Sequence, residues 1–316
     1  IQGKVDNTQH NNGKSITQLS IDSCRKFFPS AEIILSTWSG DNFDLENFDK
    51  LVLSEDPGDP TPTGIKAANT GRQIISSRAG LEAATREFAI KTRTDLIFTH
   101  GEIFNYFSKY PFRNKEYLIT KNRVILSNIS SYKPNKRVSI PFHFSDFIYA
   151  GNRSDLISIF EAPIPNREDY LWFEDKKRPK MLKYFPNWTS RFSPESWLII
   201  NLVKKRFQID IKNSFDIENN AKLLDLSKNI LISNFIVLNT KQLGIKSLKN
   251  NLPLPYFCFC YLHKDWLYLY NKQSGEKKYY FDKEIFIKWL FLVRLNLKIF
   301  LMRFLKFFII KSNDRA

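Results

Sequence analysis

Short apolar runs alternate with helical stretches through the first hundred residues, and that alternation constrains the fold to an α/β sheet. Ile16 to Phe27 carries apolar side chains at 16, 19, 21 and 27 behind Ser15, a good N-cap, and Pro29 stops it. Glu32–Trp38 and Lys50–Ser54 read as strands, the second running into Glu55-Asp56-Pro57-Gly58 and a Pro/Gly/Thr-rich loop. Arg72–Phe88 reads as a second long helix and Ala89–Phe98 as the strand after it. Ile1-Gln2-Gly3 reads as the end of a strand whose start precedes the sequence, and no signal peptide is visible. Strand, helix, strand, strand, helix, strand predicts a mostly parallel sheet.

The later sequence is less regular. Tyr117–Ser127 reads as two strands, Ser131–Arg137 as a polar loop, and Phe142–Ala150 as a strand ending at Gly151. A helix starts over 152–160 with Ser154 as its cap, and Pro194–Arg206 is a helix. Between them 161–192 is irregular and holds the basic cluster Lys176, Lys177, Arg178, Lys180 and Lys183. Residues 230–238 and 256–270 read as strands with aromatic faces.

Of the 316 residues 43% are hydrophobic and 15% aromatic, which excludes a disordered chain. The net charge of +16 is uneven. Residues 1–100 carry 11 Lys/Arg against 13 Asp/Glu, and 101–316 carry 37 against 19, so an anionic partner would meet the later region. Cys24, Cys258 and Cys260 lack zinc-ligand spacing and read as reduced core residues of a cytosolic protein. The four histidines, His10, His100, His143 and His263, are likewise scattered.

The segment 283–316 stands apart. Within 289–310 it mixes Phe, Leu and Ile with Arg294, Lys298, Arg303 and Lys306. Each such charge costs roughly 2.5–3.5 kcal/mol at the centre of a spanning helix, which opposes a membrane crossing. A basic amphipathic helix lying on an anionic leaflet fits better, and a helix packed on the catalytic domain with snorkelling cations is the alternative.

Lys91, Arg93 and Asp95 stand at the end of the strand 89–98. In an open α/β sheet ligands bind at the carboxyl ends of strands. There an acid can hold a hard cation such as Mn²⁺ or Mg²⁺, and cations can neutralise phosphate, so the trio suits a metal–diphosphate group. Gln2 and Gly3 end the first strand, where glycine allows close approach to the backbone. Thr37 and Trp38 end the second, facing nucleotide or core. Asp56 either caps its Pro-Gly turn or touches ligand. Asn69, Arg72 and Gln73 precede or begin a helix, a place suited to an anion. Asp146 lies within a largely apolar run, so it binds acceptor hydroxyls or forms a structural pair. Glu195, in Ser193-Pro194-Glu195-Ser196, is helix-start chemistry in its own right.

Several pieces, in order and spacing, resemble the WavE lipopolysaccharide-synthesis family, bacterial proteins regarded as glycosyltransferases. They are Gln2-Gly3, Phe28-Pro29-Ser30-Ala31-Glu32 through Trp38, Ser54-Glu55-Asp56-Pro57-Gly58, Asn69-Thr70-Gly71-Arg72-Gln73 through Ser77, Gly80–Ala84 and Lys91-Thr92-Arg93-Thr94-Asp95. The resemblance implies a GT-A-like fold, a nucleotide-binding sheet with helices on both faces followed by an acceptor-binding region. It implies donor contacts from Gln2, Gly3, Thr37, Asp56, Asn69, Arg72, Gln73, Lys91 and Arg93. Where that fold usually has Asp-x-Asp, this chain has Arg93-Thr94-Asp95, so Asp95 alone would ligate metal, or Arg93 and Lys91 would take over some of that task. An inverting transfer needs a carboxylate base, expected to be Glu195 first and Asp146 second.

The expected organisation is a transferase domain over 1–210, with residues 1–100 binding nucleotide and residues 101–210 binding acceptor. A mixed extension over 211–282 and the membrane-surface helix over 283–316 follow. The expected function is transfer of a sugar from a nucleotide-sugar donor to a lipopolysaccharide or capsule-type acceptor, lipid-linked or not, on the inner face of the cytoplasmic membrane. The rivals are a phosphotransferase acting on cell-surface glycans and a basic nucleic-acid-binding protein, the latter without a recognisable motif.

Overall fold

A computed structural model describes residues 1–10, 13–59, 69–134, 140–174, 188–249 and 260–275. The cluster Lys176–Lys183, Cys258 and the segment 283–316 lie outside these residues.

The strands are β1 (Ile34–Trp38), β2 (Lys50–Ser54), β3 (Phe88–Lys91), β4 (Leu96–Phe98), β5 (Val124–Ser127), β6 (Tyr149–Asn152), β7 (Phe235–Leu238) and β8 (Ile245–Ser247). The longer helices are α1 (Ile16–Phe27), α2 (Thr70–Ala83), α3 (Arg153–Phe160), α5 (Pro194–Lys204), α7 (Leu224–Asn234) and α9 (His263–Ser274). Short helices α4 (Arg167–Tyr170), α6 (Ile217–Lys222) and α8 (Thr240–Leu243) fill the connections.

β1 and β2 pair in parallel. β3, β6, β5 and β7 lie side by side, with β6 antiparallel to both neighbours and β5 parallel to β7. Residues 1–3 join the two sets. Gln2 bridges in parallel to Ser36 on one side and to Arg93, just beyond β3, on the other. Gln2 N–H donates to the Thr92 carbonyl at 2.9 Å and Gly3 N–H to the Ser36 carbonyl at 3.1 Å. The lateral order is therefore β2, β1, residues 1–3, β3, β6, β5, β7. From residues 1–3 the chain builds outward through β1 and β2, then returns to the other side for β3. This reversal makes a topological switch point, and Gly3, Trp38 and the Arg93–Asp95 turn lie at the carboxyl ends around it. All members of this order run the same way except β6, so the sheet is mostly parallel, as the sequence predicts, with one antiparallel strand.

Apolar burial holds the sheet. Val124, Ile125 and Leu126 of β5 and all four residues of β7 are fully buried. Each such side chain contributes about 1.5–3 kcal/mol relative to exposure. β2 forms the opposite edge, with Leu51 and Leu53 exposed. α2 packs on β1, β2 and α3, and α1 packs on β4.

The helix 16–27 and its Ser15 cap are as the sequence predicts: Ser15 Oγ accepts from Gln18 N–H at 3.1 Å. Cys24 and Cys260 are free and buried. Elsewhere boundaries differ. The run 89–98 is not one strand. Residues 92–95 turn out of the sheet, and β4 pairs instead with β8. The second helix covers 70–83, and Phe88 already belongs to β3. One strand, not two, forms within 117–127, and Asn152 rather than Ser154 caps α3. The predicted strand 142–150 survives only from Tyr149 and runs on to Asn152, and Phe142 at its expected start takes a left-handed φ of 57°. Over 230–238 a helix extends to Asn234 before the strand begins. Residues 263–274, overlapping the expected strand 256–270, are helical: Asp265 accepts from Leu262 N–H at 3.0 Å, and Trp266 and Tyr270, four apart, bury one helix face.

Candidate functional site

The antiparallel pairing of β3 with β6 builds the site. Lys91 stands opposite Tyr149, so the turn 92–95 leaving β3 meets the loop 142–148 entering β6. The sequence-predicted residues Lys91, Arg93, Asp95, Asp146 and Glu195 thereby share one charge neighbourhood. Lys91 is buried, and its ammonium donates to the Asp146 carbonyl at 2.6 Å. Gln73 Nε2, from the first turn of α2, reaches the same carbonyl at 3.3 Å. Burial pulls the Lys91 ammonium down to about 8, with Asp146 opposing the fall. Its role is to fix the Asp146 loop from beneath.

Arg93 and Asp95 form a fork. Nε donates to Oδ1 and Nη2 to Oδ2, both at 2.8 Å. The guanidinium also lies over the Phe147 ring, 4.9 Å from its centroid. Among the described residues no group of three or more His, Cys, Asp or Glu is placed to hold a metal ion. An ion at Asp95 would meet a carboxylate whose charge Arg93 already balances, with the guanidinium alongside. These residues do not fit Mn²⁺ or Mg²⁺ as a resident cofactor.

Glu195 enters from the first turn of α5, whose Ser193 cap accepts from Ser196 N–H at 3.2 Å. Burial, reinforced by the neighbouring charge of Asp146, raises its carboxyl to about 8. His143 Nε2 lies 3.8 Å from Glu195 Oε2, too far for a hydrogen bond. Burial lowers His143 to about 4, so at neutral pH the two face each other uncharged rather than as an ion pair. His143 Nδ1 sits 2.7 Å from the Ser130 carbonyl, which makes that nitrogen the protonated one, and its ring stacks on Tyr132 at 4.0 Å. Ser130 and Phe142 flank this histidine in the left-handed region, at φ 60° and 57°. Such conformations cost about 1–3 kcal/mol each and cluster at functional sites. The Tyr149 hydroxyl is buried close to the charges of Asp146 and Glu195 and has no hydrogen-bond partner among the described residues.

A second group forms at the start of α2. Arg72 Nε donates to Asp56 Oδ1 at 2.7 Å and Nη1 to Asn69 Oδ1 at 3.3 Å. Asp56 also accepts from Gly58 N–H at 3.0 Å, so it caps its turn as well. Lys4 links the two groups: its charge reaches Asp56, and its carbonyl accepts from Thr94 Oγ1 at 2.9 Å. Gln2 turns its side chain inward, where its Oε1 accepts from Ser76 Oγ at 2.7 Å, leaving its backbone at the strand end. Gly3 has φ 117°, a conformation suited to glycine. The Thr37 hydroxyl donates to Asp41, whose Oδ2 also accepts from Val5 N–H at 3.0 Å, and Trp38 is buried.

The sequence reading missed Asp41, His143 and Tyr149. Asp41 carried a signal, an acid three residues beyond a strand end. The other two carry none without the β3–β6 register.

Fold and site define a mixed α/β protein with paired acids and cations at the switch point of its sheet. The family model for WavE lipopolysaccharide synthesis matches residues 1–299, and the chain belongs to that family. No curated protein matches it.

Proposed function

We propose that this chain is a glycosyltransferase that moves a sugar from a nucleotide-sugar donor to a lipopolysaccharide or capsule-type glycan acceptor. The observation that carries the reading is the convergence of Lys91, Arg93, Asp95, Asp146 and Glu195 at the carboxyl ends around the switch point. Family membership supports the glycan substrate class. The sheet order, with residues 1–3 central and one antiparallel strand beyond β3, supports a GT-A-type nucleotide-binding half.

The donor's nucleotide lies along Gly3, Thr37 and the Asp56–Asn69–Arg72 group, with its phosphates toward Arg93. The acceptor oxygen bonds to the anomeric carbon. The bond from that carbon to the phosphate oxygen breaks, and its electron pair stays on the leaving nucleotide. The acceptor proton passes to ionised Glu195, which Asp146 flanks. A carboxyl raised to about 8 is mostly protonated at neutral pH, so the transfer draws on the ionised fraction, which grows as pH rises toward that value. The segment 283–316 holds the enzyme on the anionic inner leaflet.

Incubating the full chain with UDP-, GDP-, TDP- and CMP-sugars and a lipopolysaccharide acceptor tests this. Sugar on the acceptor and free nucleotide in solution are expected. A phosphosugar on the acceptor would replace the reading with phosphotransfer.

A further inference from the structure

Arg93 is held like a tool rather than spent as a structural ion pair. A guanidinium has five N–H bonds, and the Asp95 fork uses two of them. The remaining three have no protein partner among the described residues. Asp95 fixes the plane from behind and Phe147 supports its face, so little rotamer freedom remains to be lost on binding. The exposures differ in the direction a ligand requires: 37% for the Arg93 side chain against 8% for Asp95. The cation is the solvent-facing member of the pair and the acid the buried one.

The surrounding charges nearly balance, Lys91 against Asp146 with Glu195 close by, so an anion at that spot is held by direct contact with the guanidinium. Lys91 lies beneath, its amine committed to the Asp146 carbonyl, and contributes field without contact. The Arg93–Asp95 pair is neutral as a unit, so it offers a divalent cation no net attraction. The outward N–H groups match phosphate oxygens, which guanidinium groups bind in the same two-point manner as carboxylates.

We propose that Arg93, clamped by Asp95, is the cation that receives the donor's diphosphate, so that nucleotide binding needs no divalent metal. This rests on the nucleotide-sugar reading above and makes a separate claim within it. The diphosphate's negative charge, and the charge it gains as the sugar leaves, is met by the guanidinium.

The test is calorimetric titration of the full chain with UDP, GDP and TDP, each in excess EDTA and in Mn²⁺. One nucleotide should bind, with Kd values in the two conditions agreeing within about threefold. Arg93→Gln should weaken binding by about tenfold or more, and Asp95→Asn, which keeps the cation but loosens it, by less. Arg93→Lys keeps charge and loses the fork. It should fall between wild type and Arg93→Gln, and it carries the test if thermal melting shows Arg93→Gln unfolded. Binding seen only with Mn²⁺, or abolished by Asp95→Asn while Arg93→Gln binds normally, would overturn the proposal and leave the transferase reading standing. No binding in either condition would overturn both.

Discussion

At the scale of single residues, Glu195 and His143 make opposite demands on pH. The folded chain holds a proton on Glu195 up to about 8, whereas the unfolded chain releases it near 4.5. Stability therefore falls as pH rises between those values. His143 does the reverse: the unfolded chain binds a proton below 6.5 that the folded chain refuses down to about 4, so stability rises with pH across that window. These two slopes oppose each other between about 4.5 and 6.5, and above 6.5 the His143 contribution is complete while that of Glu195 continues. Urea denaturation at about pH 6.5 and about pH 8 should show wild type losing stability and Glu195→Gln losing less of it. Equal losses in both proteins would contradict the buried, protonated carboxyl. Activity runs the other way and should climb as Glu195 ionises toward about 8. In Glu195→Gln, kcat should drop by about 10²–10⁴-fold. Gly3→Ala places a side chain at φ 117° and should cost about 1–3 kcal/mol of stability, although its Cβ would meet only Thr94 Oγ1 at 3.6 Å. The trio Lys91, Arg93 and Asp95 was legible because it is contiguous. The partnership of Asp146 and Glu195 with that trio was not, since Asp146 arrives through the antiparallel β3–β6 pairing and Glu195 through the separate packing of α5 on α3.

At the scale of elements, the junction between α7 and β7 shows why some boundaries escaped the sequence. Ile230–Leu238 is apolar almost throughout, and its composition does not announce where helix yields to strand. Asn234 decides it from a distance. Its Oδ1 accepts from Ile119 N–H at 2.8 Å and Thr120 N–H at 3.2 Å, and its Nδ2 donates to the Tyr117 carbonyl at 2.7 Å. That side chain is fully buried and fastens the approach to β5 onto the end of α7. Asn234→Ala orphans these groups and should cost about 1–3 kcal/mol for each left unpaired. An unchanged urea midpoint would remove Asn234 from this role. The helix α1 was legible because its cap, its period and its stop are all local.

At the scale of the molecule, one core runs from α1 and β1 through the sheet to α9, joining Ile21, Leu35, Ile125, Ile236 and Trp266. Its alternation was readable in the first hundred residues, where strands and helices are separated by clear turn signals. Its closure by β7 was not, because that strand pairs with β5 across more than a hundred intervening residues. Ile236→Ala, at a fully buried position, should cost about 2–5 kcal/mol and lower the melting temperature of the whole chain in one transition. No described helix is long and apolar enough to cross a membrane, and the surface attachment we propose would fall to the basic stretch 283–316. Deleting that stretch should abolish cosedimentation with anionic vesicles, and retention on them would move the attachment elsewhere.

The central claim is that the acids and cations at the switch point carry out sugar transfer. The most direct measurement is product analysis with a radiolabelled nucleotide-sugar panel and lipopolysaccharide acceptor, run on wild type and Glu195→Gln. The account predicts label on the acceptor and released nucleotide with wild type for one donor family, and near-complete loss of both with Glu195→Gln despite retained nucleotide binding. Wild-type turnover of none of these donors, or undiminished transfer by Glu195→Gln, would contradict it.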